Sequence, residues 1–420
     1  MTTYDDQTLT IGPLLRQLRE ATGRTQQQLA ADLSLRRSHP VEQGMISRWE
    51  NEERLPDPVS RQLLADEFAV PLDQLCRAVV AARRLRRRHH HEDQEPDVDR
   101  RQFISASAGA GVAAIQLLPR LDAGRRLGAK TGHQLRQRTA RLRRLDDFVG
   151  GGDTYTLYCA ELTATTTLAA EGAYTEATGR ELRAVIAEQA QLAGWAAFDA
   201  GRYNDARSHY MTALAASQAA EDKSLAGNSL AFLAYLEWAT AGNSGIALAT
   251  AACEAAGRGA VPTVRALLYD RLAWQHATSG NAREAERALE VAEEAIAEQP
   301  SDPAPDWVYW VDADEIAIMT GRCWAELHRP LRAIPALEAA LGRYDDTRAR
   351  DKALYLTWLA SAYLDAGEIE HAAAITTRVL DLSAGLASVR PAGRSRMLLQ
   401  RLQPHRALGP VGQLLDRAQV

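Results

Sequence analysis

The stretch VEQGMISRWENEERLP, residues Val41–Pro56, predicts a short helix with one apolar side and one polar side. Ile46 and Trp49 recur at the spacing that places side chains on one face of a helix. Gln43 and Arg48 fall on the opposite face, and a proline ends the segment. We therefore expect a helix that packs through its apolar side and leaves long polar side chains in solvent.

Further short helices are expected on both sides of this stretch. Upstream, TQQQLAADL (residues 25–33) begins with a threonine, a residue type that caps helix N-termini, and presents Leu29 and Leu33 on one face. Similar apolar periods recur from residue 11 to residue 80 without the alternation typical of a strand. Together with Val41, these residues predict an apolar seam that holds a second helix across the third.

The pattern resembles the helix-turn-helix of the Xre/Cro family, the phage-repressor-like regulators. Its more specific part is the ISRWE and RLP sequence that begins at Ile46. The matching positions are Thr25, Gln26, Leu29, Ala30, Leu33, Val41, Ile46, Ser47, Arg48, Trp49, Glu50, Arg54, Leu55, Pro56, Leu63, Leu64, Ala65, Phe68, Val70 and Leu75. The resemblance implies a small all-α DNA-binding domain whose third helix lies in the major groove.

The resemblance implies base contacts from the start of the third helix, at Gln43, Gly44, Ser47 and Arg48. Glutamine and arginine can each form two parallel hydrogen bonds with the edge of adenine or guanine in the major groove. The competing interpretation is that these are ordinary exposed polar residues of a small helical domain.

Phosphate contacts are expected at the start of the second helix and after the third. Thr25 and Gln26 begin the second helix, where main-chain N–H groups and a side-chain amide can hold a phosphate. In the resembled family, the equivalents of Gln26 bind the DNA backbone and support the equivalent of Gln43. Asn51 matches a phosphate-contacting position of that family.

The turn between the second and third helices departs from the family pattern. Ser34 takes the position of the usual glycine, and LRRSHP (residues 35–40) intervenes before Val41. Because lengthening a loop costs little, the insertion can bulge away without effect. Alternatively, Arg36 and Arg37 could supply an extra phosphate contact, or the longer turn could break the motif.

Ala- and Leu-rich helices with glycine-marked turns are expected in the rest of the chain. Three segments share one layout, in which an apolar helix is followed by a turn glycine and, five positions later, by an alanine. The glycines are Gly201, Gly280 and Gly367, and the alanines are Ala206, Ala285 and Ala372. Stacked helix–turn–helix units repeat in this way. The pattern resembles the tetratricopeptide repeat and predicts an α-solenoid.

The tetratricopeptide resemblance implies a concave groove lined by the first helix of each unit. It would place Gln191, Trp195, Asp270, Trp274, Glu315 and Arg322 there, and the run DWVYWVDADE (residues 306–315) adds Trp310. Aromatic side chains beside charges suit a peptide or a small organic ligand. The alternative for each tryptophan is ordinary packing between helices.

The chain is expected to contain two folded parts joined by a charged linker. The predicted regions are a helix-turn-helix domain at 8–82, the linker at 83–103, connecting helices at 104–150, tetratricopeptide-like repeats at 151–385 and capping helices at 386–420. Twin arginines before a small-residue apolar run (residues 99–119) imitate an export signal. Because this run follows a domain and is too short to span a bilayer, we interpret it as an inter-domain helix.

Composition and motifs argue against several classes of function. The formal net charge of -5 does not indicate a class of binding partner for the whole chain, although residues 1–90 are slightly basic. The four cysteines are far apart, and no pair has metal-ligand or redox spacing. No phosphate loop, HExxH or GxSxG pattern occurs. We expect a cytoplasmic protein without enzymatic activity, cofactor, metal ion or membrane segment.

These expectations combine into a sequence-specific transcriptional regulator that binds a double-stranded DNA operator as a homodimer. The repeat domain would dimerise, sense a peptide or small-molecule signal, or do both. The layout resembles the actinobacterial multi-domain Xre regulators and, more distantly, the peptide-sensing quorum regulators of Gram-positive bacteria. The alternative function is that of a tetratricopeptide-repeat scaffold for protein interactions, in which the helix-turn-helix domain is non-functional or auxiliary.

Overall fold

The computed structural model describes residues 9–35, 41, 43–56, 58–72, 74–75, 77–79, 81–82, 126–145, 151–242, 245–299, 302–344, 349–383 and 388–418. These residues form helices and turns without a strand, which confirms the all-α expectation. The chain divides into two compact units, Met1–Asp122 and Ala123–Val420. The charged linker, the twin-arginine segment, Arg36 and Arg37 lie outside the described residues.

The first unit is a set of short helices around one apolar core. Its helices are α1 (Ile11–Ala21), α2 (Gln26–Leu35), α3 (Gln43–Glu50) and α4 (Pro58–Phe68), and the described positions from 72 to 82 are also helical. Leu29, Leu33, Val41, Ile46 and Trp49 form the predicted seam, and none is more than 5 % exposed. Burial of this seam holds α2 against α3, as the apolar period predicts.

The second unit is a stack of antiparallel helix pairs that forms an α-solenoid. It begins with α5 (Ala129–Leu145) and α6 (Gly151–Glu171). The pairs are α7 (Glu176–Asp199) with α8 (Tyr203–Ala219), α9 (Lys223–Ala241) with α10 (Ile246–Ala256), α11 (Pro262–Thr278) with α12 (Ala282–Ala297), α13 (Ala313–Glu326) with α14 (Pro330–Arg343), and α15 (Ala349–Asp365) with α16 (Ile369–Ser383). Helices α17 (Val389–Leu402) and α18 (Gly409–Arg417) cover the last pair. None of the helices described is long and apolar enough to cross a membrane.

Left-handed glycines form the turns of three pairs. Gly201, Gly280 and Gly367 have φ angles of 78°, 76° and 80°, a conformation that strains any residue with a side chain. In each case the second helix of the pair begins two residues later. The alanines that follow, Ala206, Ala285 and Ala372, are fully buried, so the repeated Gly and Ala positions correspond to turns and close helix packing.

The solenoid curls far enough for distant helices to meet. Asp199, at the end of α7, accepts hydrogen bonds from Gly151 N (2.9 Å), Ser388 Oγ (2.7 Å) and Arg390 Nε (2.6 Å). Burial opposes ionisation, but Arg390 and Arg350 lower the pKa of Asp199 to about 2. Since Ser388 and Arg390 lie 189 and 191 positions from Asp199, this ionic cluster joins the first pair to the start of α17.

Helix α5 comes from the segment predicted to connect the two domains, and it packs on the solenoid. Thr139 accepts a hydrogen bond from Gln189 Nε2 at 3.1 Å, and Arg143 Nη2 donates to Glu188 Oε2 at 2.5 Å. Although α5 is rich in arginine, Arg143 is only 6 % exposed because Glu188 neutralises it. The second unit therefore begins before the first repeat.

Candidate nucleic-acid interface and repeat cavity

The outer face of α3 carries the four residues for which base contacts are predicted. Gln43, Gly44 and Arg48 are exposed and Ser47 is half-buried, whereas Ile46 and Trp49 on the inner face are buried. Positions 43, 44, 47 and 48 follow one another at helical spacing, so they share one solvent-facing surface. The packed inner face fixes the direction in which this surface points.

Gly44 leaves bare backbone at the centre of that surface. The Nε atom of Arg48 donates to the carbonyl oxygen of Gly44 at 3.1 Å, which lays the guanidinium along the preceding turn of α3. Apart from the backbone of its own helix, a Cβ atom built on Gly44 would meet nothing within 4 Å. The glycine is therefore not needed for packing, and a partner surface can approach the backbone closely there.

A second polar group lies at the end of α3. Asn51 donates from Nδ2 to Ser47 Oγ at 3.4 Å and accepts at Oδ1 from Arg16 Nη2 at 3.1 Å. Arg16 belongs to α1, and 49 % of its side chain is exposed. No motif singles out Arg16, because only the packing of α1 against α3 brings it to Asn51.

The carboxylate of Glu50 ties three helices together inside the domain. Its side chain is 1 % exposed and accepts from Arg19 at 2.6 Å and 3.0 Å and from Gln26 Nε2 at 2.9 Å. Burial opposes the charge, but the hydrogen bonds from Arg19 and Gln26 hold the pKa of Glu50 below its usual value. This network fixes α1 and α2 to the end of α3.

The two residues predicted to hold a phosphate at the start of α2 have partners within the domain. Thr25 accepts from Gln28 N at 3.2 Å and donates its own N–H to Gln28 Oε1 at 2.9 Å, which is a reciprocal capping box. The amide nitrogen of Gln26 donates a hydrogen bond to the carboxylate of Glu50. The helix N-terminus remains at the surface, since Thr25 is exposed.

Ser34 closes the unusual turn. Its hydroxyl accepts from the N–H of Val41 at 2.7 Å and donates to the carbonyl of Ala30 at 2.7 Å. The two ends of the insertion are therefore joined by a hydrogen bond, and the seam on either side of it is intact. Of the three alternatives for LRRSHP, disruption of the packed motif does not occur.

A family model described as Helix-turn-helix (HTH_3) matches residues 15–75. These residues form a helix-turn-helix domain of the Xre/Cro type. The match supports a DNA-binding transcriptional regulator in general. It ends before the solenoid, whose resemblance to tetratricopeptide repeats stays a prediction. No curated protein matches the chain.

The solenoid contains a partly open cavity of about 140 Å³. The first helix of every pair, namely α7, α9, α11, α13 and α15, contributes to its wall. Gln191 is fixed on the wall by bonds from Nε2 to Ser229 Oγ (2.9 Å) and the Leu225 carbonyl (3.1 Å), and Asn228 Nδ2 donates to its oxygen at 2.8 Å. The wall is thus drawn from positions that are far apart in the sequence.

Most of the residues predicted for a ligand groove come together at this cavity. Those that line it are Gln191, Trp195, Trp310, Glu315 and Arg322. Asp270 and Trp274 do not line it, because both are 0 % exposed and lie behind the wall. Trp274 packs edge-to-face against Trp238 and Trp358, which is the interhelical packing named as the alternative for each tryptophan.

Two buried carboxyl groups near the cavity titrate abnormally. Burial raises the pKa of Glu315 to about 7, although Arg271 is near and Tyr355 donates its hydroxyl to both Glu315 oxygens at 3.0 Å. Burial likewise raises the pKa of Asp270 to about 6, although Arg271 Nη1 lies 3.4 Å from its Oδ2. Desolvation outweighs the attraction of the arginines at both sites.

Proposed function

We propose that the protein is a sequence-specific transcriptional regulator that reads its operator with the outer face of α3. The observation that carries this proposal is the division of α3 into two faces. Its apolar face is locked in the core, and its other face presents Gln43, Gly44, Ser47 and Arg48. Side chains of these types at the start of a fixed helix suit hydrogen bonding to base edges.

Phosphate contacts would hold the domain in register on the duplex. We assign them to the N-terminus of α2 at Thr25 and Gln26, to Asn51, and to Arg36 and Arg37 of the insertion. The exposed guanidinium of Arg16 beside Asn51 adds a further cation to this set. For each phosphate that a cation neutralises, the slope of log affinity against log salt concentration becomes steeper by about one.

The solenoid would carry the regulatory part of the function without catalysing a reaction or using a cofactor. A single α3 reaches few bases, so we propose that the protein acts as a homodimer on a two-fold operator. We further propose that a ligand in the solenoid cavity modulates DNA binding. The support is that the first helices of all five pairs converge on an aromatic, charged cavity.

The experiment is recovery of genomic DNA fragments by the full-length protein, followed by affinity measurements on the best fragment. We expect Arg48→Ala to weaken specific binding about tenfold to hundredfold, because a bidentate base contact is worth about 1–3 kcal/mol. Gln43→Ala should weaken it similarly. The matched controls are Arg207→Ala on the solenoid surface and Gln62→Ala on α4, which should bind like wild type.

The same measurement tests the scaffold alternative. If no fragment is enriched, or if Arg48→Ala binds as well as the Arg207→Ala control, base reading by α3 is wrong. Light scattering of the complex gives the number of chains per operator, and one chain would contradict the homodimer. For Arg36 and Arg37, a double alanine variant with an unchanged salt dependence would show that the insertion bulges away from DNA.

A further inference from the structure

Aromatic side chains are concentrated on the wall of the solenoid cavity. They make up eight of its 21 lining residues, against 6 % of the whole chain. Trp195, Phe232 and Trp310 are among them, and each of these three is only half-buried. Half-buried rings on a cavity wall present apolar surface to a ligand, and they favour a ligand that is itself aromatic.

The protein itself neutralises the charged groups of the wall. Three of the five arginines that line the cavity donate a hydrogen bond to a carboxylate. The pairs are Arg143 with Glu188 at 2.5 Å, Arg350 with Asp351 at 3.0 Å, and Arg390 with Asp199 at 2.6 Å. A charged ligand would have to compete with these ion pairs, since burial of an unpaired charge costs free energy.

The other two arginines of the wall, Arg271 and Arg322, share the carboxyl groups of Asp270 and Glu315. Arg271 Nη1 lies 3.4 Å from Asp270 Oδ2, and both arginines attract both carboxylates. The arginines of the wall are thus balanced by carboxylates when Asp270 and Glu315 are ionised. A ligand therefore does not need to carry a charge of either sign.

Two uncharged polar groups of the wall remain available to a ligand. Within the described residues, neither the Tyr235 hydroxyl nor the Trp195 indole nitrogen has a hydrogen-bond partner, and neither atom is fully buried. The Tyr235 hydroxyl lies within electrostatic reach of Arg271 and Arg390, which are wall residues themselves. Both groups can donate a hydrogen bond, so they can hold a ligand atom that accepts one.

The size of the cavity corresponds to about one aromatic ring. Its volume of about 140 Å³ is close to the volume of about 150 Å³ of a cavity known to bind benzene. Because the cavity is partly open, a substituent of the ring can extend towards solvent. The wall and the volume together therefore favour a compound built on a single ring.

We propose that the cavity binds an uncharged aromatic compound that accepts a hydrogen bond from Tyr235. The ring of the compound packs on the aromatic wall, and a carbonyl, hydroxyl or ring heteroatom accepts from the Tyr235 hydroxyl. Trp195 supplies ring surface and a second donor. That this compound is the signal for the regulator rests on the proposed function.

The test is a ligand-observed NMR titration of the full-length protein with benzamide, benzoate and benzamidine at about pH 8. The three compounds share one ring and differ chiefly in the charge of a head group of similar size. This pH lies above the pKa of about 6 for Asp270 and of about 7 for Glu315, so both carboxyl groups are ionised. We expect benzamide to bind about tenfold more tightly than either charged compound, because neither charge finds an unpaired partner on the wall.

Two variants of the wall locate the ligand. Tyr235→Phe removes one hydroxyl group and should weaken benzamide binding about twofold to tenfold while leaving the binding of toluene unchanged. Trp195→Leu should weaken the binding of both compounds, because it removes ring surface. The matched controls are Tyr203→Phe and Tyr203→Leu, at an aromatic residue that is 39 % exposed and does not line the cavity. Both controls should bind benzamide like wild type.

Three results would each overturn the inference: no binding of benzamide, equal or tighter binding of a charged compound, or an unchanged benzamide affinity in Tyr235→Phe. Should Trp195→Leu not fold, Tyr235→Phe and its Tyr203→Phe control decide the matter. DNA binding is measured on the same preparations. Specific DNA binding without benzamide binding would contradict this inference alone, and benzamide binding without specific DNA binding would contradict the proposed function alone.

Discussion

The helix-turn-helix unit, called the head below (helices α1–α4), and the solenoid each bury a carboxylate where helices meet. The two carboxylates differ in how many hydrogen bonds they accept and in the direction in which their pKa is shifted. In the head, Glu50 accepts three hydrogen bonds from Arg19 and Gln26, and its pKa is lowered. In the solenoid, neither oxygen of Asp270 has a hydrogen-bond partner, and burial raises its pKa to about 6. The arginines nearby, Arg271 and Arg322, do not complete the network.

The difference fits the two roles proposed above. A completed polar network fixes α1, α2 and α3 in one arrangement, which suits a surface that must present side chains to DNA at a constant angle. An incomplete network behind the cavity wall leaves a carboxyl group whose free energy changes with its protonation. Four predictions, from the largest expected effect to the smallest, test this comparison.

Glu50→Ala should remove the centre of the network in the head. Arg19 would be left largely buried without its carboxylate, and breaking a buried ion pair costs about 3–5 kcal/mol. We expect α1 and α3 to lose protection in peptide-resolved hydrogen exchange while the solenoid keeps its own. Glu53→Ala, an exposed neighbour, is the control. Unchanged protection of α3 in Glu50→Ala would mean that the network does not hold the head together.

Asp270→Asn should change how stability depends on pH. Because the folded pKa of about 6 lies above the ordinary value of 3.8, the favourable contribution is complete below about pH 4 and is lost as the pH rises through 6. We measure the free energy of unfolding of the solenoid with denaturant at pH 4 and at pH 7. Between these pH values it should fall by about 2 kcal/mol less in the variant than in wild type. Asp205→Asn, at a partly exposed ion pair, serves as control, and parallel pH profiles for wild type and Asp270→Asn would contradict the prediction.

Ser34→Ala should loosen the joint between α2 and α3. It deprives the N–H of Val41 of its acceptor, which costs about 1–3 kcal/mol if the group stays buried. We expect faster hydrogen exchange at the start of α3 and weaker operator binding, because the helix is held less firmly. Ser34→Thr keeps the hydroxyl and should restore both properties. Equal behaviour of the two variants would show that the hydrogen bond is unimportant.

Gly44→Ala should separate stability from DNA binding. A methyl group has open space at this position, and alanine favours a helix over glycine by about 0.5–1 kcal/mol. We expect a slightly more stable head that binds its operator less tightly, because the new methyl group stands between α3 and the duplex. Gly128→Ala, at another open position, controls for the substitution itself. Tighter or unchanged operator binding would show that the duplex does not approach Gly44.

Much of the head could be predicted from the sequence because its information is local. The apolar period places Ile46 and Trp49 inside and Gln43 and Arg48 outside, and the helices lie where this period predicts them. The buried role of Glu50 could not be predicted, since a carboxylate at the end of a polar helix is usually exposed. Only the arrival of Arg19 from α1 and Gln26 from α2 makes its burial possible.

In the solenoid, the sequence by itself determined the helices, the glycine turns and the buried alanines, because each of these depends on a few neighbouring residues. The tertiary structure alone decided which polar residues face the cavity. Asp270 and Trp274 lie behind the wall, whereas Arg390, which no repeat pattern marks, reaches it through Asp199 at the far end of the array. The curvature that brings distant residues to one cavity accumulates from a small rotation at every helix pair. It cannot be predicted from the apolar period of a single helix.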